Sequence, residues 1–253
     1  MIELKNVCKS FGNRQILNHV NLSIEDGETM VILGASGSGK STILKLIIGL
    51  LSPDSGDVLV NGKSIAGLSE DAMNEVRRNM GMVFQYSALF DSMTIRENVA
   101  FGLRQHRRLG EEDINHIVQQ KLSAVGLSGI EGLMPANLSG GMKKRVSLAR
   151  AIALNPKIIL YDEPTAGLDP IMSTAISRLI RRTQKSLRAT SVVVTHDMKS
   201  AREIADRMAF LYEGAFLAVG RPEALYASED MRVQQFVHGW EKPEAPQGEG
   251  DII

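Results

Sequence analysis

Apolar and polar residues alternate through positions 2–7 and 16–24, most clearly in the run VNLSI, and this period of two predicts half-buried strands. Gly12-Asn13 between them is a turn signal. Residues 29–33 (TMVIL) form a short apolar run, the pattern of a strand covered on both faces. A Gly/Ser-rich loop follows, and apolar positions then recur at helical spacing from Lys40 to Leu50. PDSG at 53–56 is a turn, DVLVNG after it is a strand, and MGMVF at 80–84 is another. From about residue 87 to 155 the period becomes helical, with helices predicted at 94–103, 111–126 and 140–153. Strand patterns return at 157–162 (KIILYD) and 190–195 (TSVVVT), with a helix between them. MAFLYEG and AFLAVG read as a hairpin turning at Glu213-Gly214. Strands alternating with helices predict an α/β core on a parallel sheet, interrupted by a helical insertion. No internal repeat is present. Near the end, MRVQQFVHGW predicts a short amphipathic helix that either docks on its own domain or meets a partner. EKPEAPQGEGDII is rich in Pro, Gly and Glu, the composition of disorder.

The 29 basic and 29 acidic residues cancel. Nucleic-acid and anionic-membrane binders carry basic excess, so no nucleic-acid partner is expected. Cys8 is the single cysteine, which rules out an intrachain disulfide and a cysteine-only zinc site; it reads as a small apolar strand residue. No apolar run is long enough to cross a membrane, and MIELKNVCKS lacks the layout of a signal peptide. The expectation is an intracellular chain whose membrane work needs a separate partner.

Three motifs carry chemistry. The first is Gly34, Ala35, Ser36, Gly37, Ser38, Gly39, Lys40, Ser41 and Thr42, matching G-x-x-x-x-G-K-[ST] between a buried strand and a helix. Its glycines let successive N–H groups point inward around phosphate oxygens, and the helix adds its N-terminal partial positive charge. Lys40 can reach the β- and γ-phosphates, and the Ser41 hydroxyl can ligate Mg²⁺. The second is an apolar strand ending in Asp162-Glu163, which supplies a metal-site acid and then a general base or water-positioning group. The third is Leu138-Ser139-Gly140-Gly141-Met142 at the start of a helix, where Ser139 is a candidate N-cap and the helix end a further anion site. Two phosphate-binding features thus lie about 100 residues apart. Either they close on one nucleotide within the chain, or each completes a site with another copy.

Together these motifs resemble the nucleotide-binding domain of ABC transporters over roughly residues 1–225. The resemblance implies a P-loop NTPase (RecA-like) core with a parallel sheet, an N-terminal antiparallel β subdomain and an inserted helical subdomain at about 87–155. A C-terminal helical extension at 226–240 and a disordered tail at 241–253 would follow. In that family the LSGGM segment, with Ser139, Gly140 and Gly141, contacts the γ-phosphate held by the opposite subunit, which implies a head-to-tail homodimer sharing two ATPs. Phe11 corresponds to an aromatic that stacks on adenine, although such a residue taken alone is more often core. Gln85 corresponds to the glutamine that senses Mg²⁺ and the permease. Gly167-Leu168-Asp169 resembles the loop that communicates across the dimer, and His196 the histidine at the γ-phosphate. His19, His106, His116 and His238 have no such context. Because Glu163 and His196 are both present, the expected activity is Mg²⁺-dependent ATP hydrolysis, with Asp162, Ser41 and Gln85 at the metal.

Within the superfamily, the chain lacks the coiled-coil or zinc insertions of the DNA-repair branch and the second cassette of the translation branch. FQYSALFDSMTIRENVAFGLR and LMPANLSGGMKKRVSLARAIALNPKIILYDEPTAGLDPI, about 60 residues in all, resemble the ATPases of Mla-type and Mce-associated phospholipid transporters, as does MRVQQFVHG. That resemblance implies a permease, an Mce-domain lipid-binding partner and a place on the cytoplasmic face of the bacterial inner membrane. Amino-acid importers and lipoprotein-release systems have similar cassettes, but more often carry Gln where Met142 stands. An FtsE-like regulatory ATPase is the alternative of a different class.

Overall fold

A computed structural model describes residues 1–239 of the chain; Trp240 and the tail expected at 241–253 lie outside them. In order, the chain forms β1 (Ile2–Phe11), β2 (Arg14–Ile24), β3 (Thr29–Leu33), α1 (Lys40–Ile47), β4 (Ser55–Val60), β5 (Lys63–Ser64), α2 (Glu70–Arg77) and β6 (Met80–Val83). Next come α3 (Ile95–His106), α4 (Glu111–Ala124), a 3₁₀ turn at Pro135–Asn137, α5 (Gly140–Ala151), β7 (Ile158–Asp162) and α6 (Pro170–Leu187). Then follow β8 (Thr190–Thr195), α7 (Met198–Ile204), β9 (Arg207–Tyr212), β10 (Ala215–Gly220), α8 (Pro222–Tyr226) and α9 (Met231–His238).

Four strands make an antiparallel sheet ordered β2-β1-β4-β5, and six make a second sheet ordered β10-β9-β3-β8-β7-β6. In the second sheet β9, β3, β8, β7 and β6 run parallel, and only β10 is antiparallel, paired to β9 by the expected hairpin. The period of two divides the apolar strands between two cores. Met30 and Ile32 of β3 face α1 and the antiparallel sheet, whereas Val31 and Leu33 face the opposite layer of helices. Burial on both faces is why these strands read as unbroken apolar runs.

The inserted segment packs α3, α4 and α5 into the second core through Ile95, Val99, Val118, Leu122, Val146 and Ala149. Thr94 and Glu97 form a capping box that starts α3. β1 runs four residues beyond the expected end at position 7, because register shifts after Leu4, Val7 and Lys9 break the alternation that would have revealed it. Phe11 therefore ends the strand, paired with Arg14. α1 stops before Leu50: Gly49 has φ +70°, and the Gly49 and Leu50 amides donate to the Leu46 and Lys45 carbonyls. Those two bonds form a Schellman C-cap. α2 is a short surface helix that buries only Met73 fully, with Val76 half-buried beside it on the same core.

Candidate functional site

β3 ends at Leu33 and α1 begins at Lys40, so Gly34–Gly39 must reverse the chain within one short loop. Two glycines are sterically required. Gly39 has φ +105°, and a Cβ there would lie 2.9 Å from Ile16 Cγ2. At Gly34 a Cβ would lie 2.5 Å from the Leu211 carbonyl oxygen. The first-turn amides of α1 consequently face the loop, which is the geometry that binds phosphate. Lys40 is almost fully buried, and its Nζ donates to the Gly34 and Ala35 carbonyls at 2.8 and 2.9 Å. Burial lowers the Lys40 pKa, opposed by the nearby Glu163 and Asp162 carboxylates.

β7 delivers the two acids. Ser41 Oγ donates to Asp162 Oδ1 at 2.8 Å, joining the first turn of α1 to the end of β7. Glu163 is buried, with Oε1 3.9 Å from Lys40 Nζ and 3.0 Å from His196 Nδ1. Its Oε2 accepts from Thr195 Oγ1 at 3.1 Å. Glu163 also has φ +45°, a left-handed conformation that costs a non-glycine residue about 1–3 kcal/mol and that clusters at functional sites. The surrounding bonds hold it there.

These groups open on a cavity of about 690 Å³, lined by Phe11, Ala35, Ser36, Gly37, Gly39, Lys40, Ser41, Thr42, Gln85, Glu163 and His196. Gly34 and Ser38 shape the loop behind it. The Ser38 hydroxyl is buried without a partner among the described residues. Arg14, Ile16 and Phe236 complete the lining and escaped the motif reading. Arg14 had one available signal, its place beside Phe11 at the tip of the first hairpin. Phe236 had none, because only the fold brings α9 to this cavity.

Lys144 belongs to the Met-Lys-Lys run that carries the subfamily resemblance, but nothing in that run assigns it to the site. It lies on α5, only 6% exposed, and its Nζ donates to the Gln85 carbonyl and, at 3.3 Å, to the Glu163 carbonyl. Burial lowers its pKa, countered by Glu163 and Asp162. Two turns on, Arg150 donates to the Ser87 and Ala88 carbonyls at 3.0 and 2.7 Å, where both residues have positive φ. α5 thus clamps the segment after β6 and the end of β7 together.

Ser139, Gly140, Gly141 and Asp169 lie apart from this cavity's lining. Ser139 caps α5 by accepting from the Met142 amide. Asp169 caps α6 by accepting from the Ile171 and Met172 amides. The two helix starts are neighbours: a Cβ on Gly140 would meet Leu168, and one on Gly141 would meet Met172. For a metal, the paired hydroxyl and carboxylate of Ser41 and Asp162, with Gln85 on the same cavity, are hard oxygen donors that fit Mg²⁺ held jointly with a phosphate.

The model of the ABC transporter family matches residues 17–166. The chain is 46% identical over 239 residues to the intermembrane phospholipid transport system ATP-binding protein MlaF of Haemophilus influenzae, covering 94% of this chain and 90% of that one. It is 44% identical to the "Probable ribonucleotide transport ATP-binding protein mkl" of Mycobacterium leprae, covering 94% of this chain and 69% of that one. Among solved structures it is similar to the ATP-binding cassette MJ0796, a dimer in a post-hydrolysis state bound to ADP and Pi. The TM-score is 0.81 at 36% identity, over 88% of this chain and 99% of that one.

Proposed function

We propose a defined role for this chain, which belongs to the ABC transporter family: it is the ATP-hydrolysing subunit that drives phospholipid transport through a separate membrane permease. The observation that carries the catalytic part is Glu163, buried at the end of β7, bonded to His196 and facing the same cavity as the phosphate loop. The loop amides and Lys40 hold the β- and γ-phosphates, and Phe11 offers a face for the base. Mg²⁺, held by Ser41, Asp162 and Gln85, would neutralise phosphate charge. Glu163 orients a water and takes its proton as the water oxygen bonds to the γ-phosphorus. The bond from that phosphorus to the β–γ bridging oxygen breaks, leaving ADP and phosphate. His196, anchored through Nδ1, steadies the γ-phosphate oxygens.

The placement of the Ser139 helix start supports a dimer. The Ser139 helix start is a second anion site with no share in its own chain's cavity, so it serves the cavity of another copy. Asp169, adjacent to it, would lie at the same junction. The permease would dock around Gln85, where Phe84, Tyr86 and Phe90 are exposed, Tyr86 at 88%. Among the described residues no helix is long and apolar enough to cross a membrane. By likeness to MlaF and through its permease, we assign the chain to the cytoplasmic face of an inner membrane.

The two curated relatives carry different cargo names at nearly equal identity. Phospholipid is favoured by MlaF and by the LMPANLSGGMKK and ALF segments, and it brings an Mce-domain lipid-binding protein as the expected partner. Mass spectrometry of proteins and lipids that co-purify with the tagged chain from native membranes tests this. A multi-span permease, an Mce-domain protein and bound phospholipid support the assignment. A solute-binding protein, a lipoprotein-release permease or cell-division proteins overturn the cargo and leave the ATPase intact.

Lys144 gives a separate prediction. Lys144→Met removes a charged donor from two buried carbonyls and should lower kcat about tenfold while KM for ATP changes less than about threefold. Equal kcat in steady-state assays would show that the clamp does not position Glu163 and Gln85.

A further inference from the structure

We infer that α9 is a wall of the nucleotide cavity, with Phe236 touching the bound nucleotide, so that nucleotide binding and the seating of α9 stabilise each other. The inference rests on the cavity being the ATP site. α9 presents residues 233, 236 and 237 on one face, the i, i+3, i+4 stripe of a docked helix. Val233 and Val237 are buried in the second core. Phe236 is only half-buried. One side of its ring meets Phe210 at a centroid distance of 4.8 Å, and the residue also lines the cavity.

Phe210 pairs in register with Leu33, the last residue before the phosphate loop. The strand end beneath Phe236 is thus continuous with the loop's base, where the Leu211 carbonyl already requires glycine at position 34. The helix is held at further points: Arg232 stacks over Tyr212 at 5.5 Å, and Gln234 Nε2 donates to the Tyr226 carbonyl at 3.0 Å. A seated α9 completes the cavity with an apolar ring. Displacing α9 removes that wall and uncovers Phe210.

Whatever binds only the seated form must also stabilise it, since linkage is reciprocal. Nucleotide contact with Phe236 therefore predicts that ATP protects α9.

The test uses the full chain, MANT-ATP with Mg²⁺, and hydrogen exchange of α9 with and without nucleotide. Phe236→Ala should raise the dissociation constant about 3- to 10-fold, Phe236→Leu less, and Met231→Ala on the exposed side not at all. In the wild-type chain, nucleotide should slow exchange in α9 but not in α4, a readout that needs no substitution. Unchanged affinity in Phe236→Ala, an equal loss in Met231→Ala, or α9 exchange indifferent to nucleotide overturns the inference. Wild-type protein that binds no nucleotide, like a Lys40→Ala control, would instead sink the assignment of the cavity itself.

Discussion

Glu163→Gln is expected to cut ATP turnover by about two to four orders of magnitude while leaving ATP affinity within a few fold, trapping an ATP-bound dimer. The amide keeps the volume and one carbonyl oxygen, so a donor such as Thr195, at 3.1 Å from the carboxylate, still has an acceptor. It cannot take a proton from water. On the proposed assignment nucleotide binding depends on the loop and Lys40, whose ammonium lies 3.9 Å from the carboxylate, so loss of the negative charge is not expected to loosen the phosphates. If ATP joins two copies and hydrolysis parts them, the variant binds, pairs and stays paired. Size-exclusion chromatography with MgATP, beside a phosphate-release assay, measures both halves. Sustained wild-type turnover would remove Glu163 from the reaction.

Lys40→Ala should fail one step earlier. Its side chain is 6% exposed, and two carbonyls of the proposed phosphate loop hold the ammonium. Charge-assisted bonds to phosphate in so desolvated a place are the strong kind, and ATP affinity should fall about 100-fold. The substitution also leaves the Gly34 and Ala35 carbonyls without their donor, so a thermal melt run beside the titration checks that the fold is kept. The two variants therefore separate: Lys40→Ala neither binds nor pairs, and Glu163→Gln does both. Calorimetric titration with ATP checks it, and near-normal affinity would show that the loop amides alone hold the phosphates.

What could be read from the chain was local. The phosphate loop was legible because its glycines, lysine and hydroxyl fall within nine residues whose backbone path they impose. The parallel strands were legible because burial on both faces leaves an unbroken apolar signature. α2 was missed because it spans only eight residues, five of them polar or charged, with one side chain, Met73, fully buried. α7 spans only seven residues, too short for a period to register. The bulged half of β1 was missed because each register shift moves the next side chain to the other face. At the site, Lys144 and Phe236 were invisible for a different reason: their partners lie on distant strands and loops. Lys144 looks like one more base on a polar helix until α5 is laid against Gln85 and Glu163. Asp169 shows the converse. Its motif was plain, and the structure adds that within this chain the carboxylate caps α6.

The central claim is that one catalytic site is made by two copies, the phosphate loop of one and the Ser139 helix start of the other. The most direct measurement is MgATP hydrolysis per chain across about a 100-fold range of protein concentration, with the oligomeric state followed alongside. The account predicts a rate per chain that climbs as monomers pair and levels once pairing is complete. A constant rate per chain from a species that remains monomeric throughout would contradict it.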